Sequence, residues 1–172
     1  MLKLAKLYEE DLNLKFINCI NNPHFKYLMG SWSEYKIELG TNNWDYFQYV
    51  SVDRNDNIIG YLEGRVDRTA NYVWGLEFVN FTQNTNLTFS KDCKAFFDLI
   101  FETYKFNKVN WCVFVGNPAE EIYDKFIERY KGRIVGVYKD DFYTYDRELC
   151  DKKAYELMRR DYLNSKNKIR VI

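Results

Sequence analysis

Histidine is almost missing from this chain, which carries His24 alone, and no Cys-x-x-Cys pair occurs among Cys19, Cys93, Cys112 and Cys150. Zinc sites draw on clustered Cys and His, so no metal centre is expected, and the wide cysteine spacing argues against a disulfide framework. The thiols read as small buried residues or bystanders, and His24, beside Pro23, as a half-exposed turn residue. Net charge is also missing: 25 Lys plus Arg balance 25 Asp plus Glu, leaving no global field to attract nucleic acid or anionic membrane. No apolar run approaches the roughly 20 residues that cross a bilayer. Met1–Lys6 alternates like a strand and lacks the apolar centre of a signal peptide, so a soluble, cytoplasmic protein is expected.

Aromatics are abundant, at 19%, with 15 tyrosines. Tyrosine suits a wet-edged cleft or a subunit interface, which makes a homodimer a reasonable expectation. It equally suits the core of an ordinary β-rich protein. The 172 residues fit one domain, and no repeat or linker interrupts them; residues 1–163 read as that domain and 164–172 as a frayed tail.

Leu2–Leu7 reads as a strand, followed by a helix whose first turn is acidic (Glu9-Glu10-Asp11) and whose apolar face is Leu12, Phe16, Ile17 and Ile20. Asn21-Asn22-Pro23 stops it. Phe25–Leu39 predicts a short helix or irregular segment ending at Gly40. Trp44–Val52 and Ile58–Val66 form a hairpin around Asp53–Asn57, and Tyr72–Phe81 is the next strand. A polar loop, Thr82–Thr88, leads to a helix over Ser90–Phe106 capped by Ser90, with Phe89, Cys93, Phe96, Phe97, Ile100, Phe101 and Tyr104 along its buried stripe. Lys108–Val115 predicts a strand buried on both faces. Ala119, Ile122, Tyr123, Phe126, Ile127 and Tyr130 make the next helical face, which Gly132 ends. Arg133–Tyr138 and Phe142–Tyr145 predict a closing hairpin around Lys139-Asp140-Asp141, and Asp151–Tyr162 a strand extension or a helix. Strand, loop, helix, strand, turn, helix is an order in which coenzyme-binding folds hold a diphosphate at a helix N-terminus.

Val52-Asp53-Arg54-Asn55-Asp56-Asn57-Ile58-Ile59-Gly60, the helix exit Phe101–Val109, Asn117 after the fifth strand, and the ending Lys153–Tyr162 together resemble the GNAT acyl-CoA N-acyltransferase superfamily. The resemblance is nearest to the branch that includes ribosomal-protein alanine N-acetyltransferases. It implies an α/β (α+β) three-layer fold: a mixed, mostly antiparallel sheet of about seven strands flanked by about four helices. It also implies acetyl-CoA as co-substrate and a primary amine, of a small molecule or a protein N-terminus, as acceptor. The family's pyrophosphate loop is Gln or Arg, two residues, Gly, one residue, then Gly or Ala. Here it falls on Asn84-Thr85-Asn86-Leu87-Thr88-Phe89, with Leu87 and Phe89 at the small positions, or on Gln83–Thr88, with Asn86 and Thr88 there. Neither register supplies a glycine, whose absence of Cβ lets backbone N–H groups close on a diphosphate. A left-handed Asn86, with Thr85, Thr88, Ser90 and Lys91 reaching phosphate by side chain, would compensate.

The resemblance further points to Glu77 or Glu63 as the base that deprotonates the amine, to Tyr123 as donor to the departing thiolate, to Phe78 and Val79 as the strand edge along pantetheine, and to Asn117 beside the coenzyme. Family members often carry the tyrosine one position later, where this chain has Asp124. Each has a plainer reading: Glu77 as a surface residue or a partner of Arg65, Tyr123 as core, and Asn117 as a turn residue. Arg159, Arg160, Lys166, Lys168 and Arg170 read as a solvated terminus rather than a phosphate or RNA site. Two functions follow: an N-acetyltransferase, or a GNAT-like binding module that has lost its coenzyme loop. Nucleic-acid binding is disfavoured, and acceptor identity rests on Phe25–Trp44 and Asp140–Lys153, which carry no readable code.

Overall fold

The computed structural model describes residues 1–19, 22–28, 37–40, 44–82, 84–144 and 147–169. The strands are β1 (Leu2–Leu4), β2 (Tyr46–Val52), β3 (Ile58–Asp67), β4 (Tyr72–Asn80), β5 (Lys108–Phe114), β6 (Arg133–Tyr143) and β7 (Leu149–Met158). The helices are α1 (Glu9–Cys19), α2 (Leu87–Asp98), α3 (Ala119–Tyr130) and α4 (Arg159–Ile169). One sheet holds all seven strands in the order β1-β2-β3-β4-β5-β7-β6, with every adjacent pair antiparallel except β4 and β5. Among the described residues this is the mixed, mostly antiparallel sheet with four α-helices that the resemblance implies. The β2–β3 hairpin closes where expected, with the Asp53 carboxylate accepting from the Asn55 and Asn57 N–H groups and Asp56 in the left-handed region.

Period-2 alternation sorts the sheet's two faces. On one, Val50, Tyr61 and Val79 pack with Leu12 and Phe16 of α1. On the other, Phe47, Leu62 and Leu76 join Phe96 and Phe97 of α2, and the core continues through Trp111 and Tyr155 to Ile127 of α3 and Tyr162 of α4. The tyrosines therefore serve the core as much as the surface: Tyr61, Tyr155 and Tyr162 are fully buried.

Several local expectations change. The inward face of α1 is Leu12, Phe16 and Cys19, whereas Ile17 is 48% exposed because it lies five residues, not three or four, beyond Leu12; Ile20 and Asn21 lie outside the described residues, as do 29–36 of the predicted second helix. β5 is buried on one face only, with Val109, Trp111 and Val113 inward and Cys112 outward. Of the four thiols, Cys19 alone is fully buried.

The larger corrections are at the C-terminus. Lys139–Asp141 is a bulge within a continuous β6, with Asp140 in the left-handed region, and the hairpin partner is the later segment β7. β7 then inserts between β5 and β6. Residues 164–169 belong to α4, where Lys166 is buried and donates to Asp98 and Glu102. Arg159 donates to the Phe101 carbonyl at 2.7 Å, so these two cations are structural. Tyr145, Asp146 and Arg170 lie outside the described residues.

Candidate functional site

The parallel pair β4–β5 is in register only at Tyr72↔Lys108 and Val73↔Val109. Just beyond, β4 carries an extra residue opposite Gly64, at Gly75 with φ +58°, a backbone conformation that favours glycine. After this bulge Glu77–Asn80 keeps its pairing with β3, and no ladder pair among the described residues joins it to β5. The result is a gap between two strands of one sheet, with the backbone edge of β4 open along Phe78 and Val79. Both residues stand where the coenzyme edge was expected.

Register places three rows of side chains on the α1 face beside this gap. Val50, Tyr61 and Val79 form the covered row; Gln48, Glu63 and Glu77 form the next; Tyr46, Arg65 and Trp74 form the last. Glu63 is buried, and its Oε2 accepts hydrogen bonds from the Tyr61 hydroxyl at 2.6 Å and from Gln48 Nε2 at 3.2 Å, while Oε1 faces Arg65 Nε at 4.0 Å. Gln48 is itself fixed, accepting from the Gly40 N–H and donating to the Glu38 carbonyl. Glu77, directly opposite Glu63 and partly buried, has a carboxyl pushed up to about 7 by burial and then by the Glu63 charge, with Arg65 opposing. A carboxyl so raised exchanges a proton near neutrality. Gln48 and Tyr61 were missed in the sequence; the i, i+2 spacing of Tyr61, Glu63 and Arg65 was the available signal, but only register adds Gln48 and Glu77.

On the opposite face Tyr123 spans the gap. Its ring lies 6.2 Å from Phe78 of β4, 5.9 Å from Trp111 of β5 and 6.0 Å from Tyr155. Burial keeps its phenol protonated far above the usual range. Trp111 is 2% exposed, and its indole N–H is the buried polar group left without a partner among the described residues. Asp124 accepts from the Tyr155 hydroxyl at 2.9 Å and from Lys153 at 2.8 Å, tying α3 to β7.

The glycine-less loop ends in a self-capped helix. Asn86, at φ −114°, is extended rather than left-handed, and it caps α2 in place of Ser90. Its side-chain oxygen accepts from the Thr88 and Phe89 N–H groups at 2.9 and 3.1 Å, two of the donors that a helix N-terminus offers an anion. The Ser90 hydroxyl turns back to the Asn86 carbonyl, and the Asn84 carbonyl accepts from Asn80 and Thr82. Leu87 is 75% exposed, whereas Phe89 turns into the core. Thr85 stands in the stretch before the cap, and Gln83 lies outside the described residues. Asn117 accepts from the Ala119 N–H at the start of α3, which matches its plainer reading as a turn residue. The open edge of β4 suits a pantetheine chain, while the diphosphate end fits once Asn86 yields two amides.

No family model matches the chain, and no curated protein matches it. Solved structures do. The Vibrio cholerae spermidine/spermine N-acetyltransferase SpeG, in complex with manganese ions, superposes with TM-score 0.69 at 18% identity over 95% of each chain. A point variant of the V. cholerae enzyme gives 0.72 at 17% identity, covering 96% of this chain and 99% of that one. A GCN5-related N-acetyltransferase from Brucella melitensis gives 0.69 at 12% identity, over 96% and 78%. The fold of this chain is that of the GNAT acetyltransferases. No helix among the described residues is long and apolar enough to cross a membrane.

Proposed function

We propose that this chain is an acetyl-CoA-dependent N-acetyltransferase that acts on a primary amine, of a small molecule or of a protein N-terminus such as the alanine branch acylates, in the cytoplasm. The observation that carries the reading is Glu77: a carboxyl raised to about 7 at the bulge where β4 leaves β5. An ammonium is no nucleophile, so a base near pH 7 is the group this chemistry needs. Glu77 takes the proton from the ammonium, and Glu63, held by Tyr61 and Gln48, keeps Glu77 basic. The freed amine forms the C–N bond at the thioester carbonyl as the C–S bond breaks. Tyr123, neutral and next to both gap-lining strands, gives a proton to the departing thiolate and regains one from the new amide nitrogen, while Glu77 passes the ammonium's proton to solvent. Acetyl-CoA supplies the activated acyl group; Phe78 and Val79 border its path, with Asn86, Thr88 and Phe89 at the diphosphate.

One observation favours a second reading, a GNAT-like interaction module without transfer: the Thr88 and Phe89 amides are already used by Asn86. The cap is worth about 1 kcal/mol, and a charged phosphate oxygen makes bonds of about 1.5–3 kcal/mol. The exchange therefore favours coenzyme, which is why transfer is the leading reading. Calorimetry with acetyl-CoA, against coenzyme A and a plain adenine nucleotide, tests it. Micromolar binding followed by acetylation of any amine in a panel supports the enzyme; no heat at millimolar coenzyme establishes the module.

A further inference from the structure

Resting on that transferase reading, we propose that Tyr46, Arg65 and Trp74 bind an anionic group of the acceptor, so that the substrate class is an amine carrying a carboxylate rather than a polyamine. The three side chains form the row beside Gln48, Glu63 and Glu77 on the same face of β2, β3 and β4. The Arg65 guanidinium lies 5.9 Å from the Tyr46 ring centroid and 5.1 Å from that of Trp74. Two flanking aromatics hold the planar fork in place and spare a ligand the cost of ordering it.

A purely structural role explains this arginine poorly. Its one ion pair among the described residues is with Glu63 Oε1 at 4.0 Å, the outer limit of such contacts, while Tyr61 and Gln48 both donate to the other oxygen, Oε2. The guanidinium carries five N–H groups, and its side chain is 39% exposed. Trp74 and Tyr46 are 40% and 37% exposed. The row is thus a fixed cation with open donors, flanked by rings that a ligand can reach.

Spacing sets the length of that ligand. Glu77 and Arg65 are diagonal neighbours on adjacent strands, about 7–8 Å apart, so an ammonium at Glu77 and an anion at Arg65 are bridged by an acceptor with roughly four or five carbons between its charged ends. A second ammonium there would meet a cation instead. Three acceptors of equal length separate the possibilities: 5-aminopentanoate, its primary amide, and 1,5-diaminopentane. Acetylation of each is followed with the full chain at pH 9, where Glu77 is ionised. The carboxylate is expected to lead the amide by about 10- to 100-fold in kcat/KM, the range for hydrogen bonds to charged groups, through KM rather than kcat, with the diamine last.

Arg65→Gln collapses that ratio towards one, and Arg65→Lys keeps part of it, since an ammonium retains the charge without the fork. Trp74→Leu reduces it and serves if Arg65→Gln does not fold. Equal use of all three acceptors by the native chain, or a ratio untouched by Arg65→Gln, overturns this assignment while leaving the transferase reading intact. Failure to acetylate any amine, whatever its charge, overturns both.

Discussion

Phe89 lies over Gly60: a Cβ at position 60 would stand 2.2 Å from the Phe89 ring and 2.9 Å from the Val79 carbonyl oxygen. The large residue that follows the glycine-less loop therefore does not project from it. It is seated in the sheet, in space that a glycine on the neighbouring strand leaves open, and it anchors the first turn of α2 against β3.

Gly60→Ala should consequently destabilise the fold by about 1–3 kcal/mol, the usual cost of overpacking a filled core. Pairing it with Phe89→Leu should recover part of the loss, because the flat ring is replaced by a shorter side chain while the clash with the Val79 carbonyl persists. Urea denaturation of the single and double variants measures both effects. Full additivity would argue that the two residues do not share this contact.

Glu77→Gln should lower turnover by about 10²–10⁴-fold, the span for a lost general base. In the native chain the rate should rise with pH through about 7, as the Glu77 carboxyl ionises; the variant should lack that limb. Stability carries the opposite sign. A carboxyl whose folded pKa lies above its unfolded value binds protons more tightly when folded, so ionisation penalises the native state as pH rises from about 4.5 to 7. Thermal melts should show Glu77→Gln gaining on the native chain across that window, by at most about 3 kcal/mol.

Asn86→Gly should cost a few tenths of a kcal/mol in stability and free the Thr88 and Phe89 amides now held by the Asn86 side chain. Coenzyme affinity should then rise about fivefold, the equivalent of the displaced 1 kcal/mol cap. Leu87→Gly, which removes a side chain already turned to solvent, should change affinity less. Calorimetric titration of both variants distinguishes a self-capped helix from a blocked loop.

Ending the chain after residue 163 should destabilise it rather than trim a loose tail. Lys166 holds Asp98 and Glu102, and Tyr162 donates to Asp98 at 2.7 Å. Although burial opposes ionisation of Asp98, hydrogen bonds from Lys166, Lys94 and Tyr162 keep its carboxyl below the usual range. Lys166→Met should cost about 2 kcal/mol. That loss should be present at pH 7 and shrink as pH falls below the ordinary carboxylate range, through the depressed value at which folded Asp98 takes up its proton.

The elements and their order were legible because hydrophobic periodicity is local. The aromatic and β-branched run of β2, the i, i+4 spacing of Phe89, Cys93 and Phe97 on α2, and the Asp53–Asn57 turn all lie within a few residues of chain. Misreadings arose where pairing is remote. Asp140 looks like a turn, yet Asp151 accepts from its N–H and from Lys139, which holds it as a bulge against β7. Lys166 looks like a solvated tail residue, yet its partners lie more than 60 residues away. Ser90 looks like the helix cap, but Asn86 reaches the free amides one turn earlier and leaves Ser90 inside the helix.

The same division holds for the site. Glu63, Glu77 and Tyr123 could be named as candidates from residue type and position in a resembling pattern. What separates the two carboxylates is not in either residue. Strand register sets Glu63 among two donors and Glu77 opposite it, and the left-handed Gly75 releases β4 from β5 at that point. By itself, the sequence determined which segments become strands and helices, since propensity and periodicity act along the chain. Only the tertiary structure decided that the Glu77 carboxyl is raised, because desolvation and charge–charge coupling depend on distances across strands that no local pattern records.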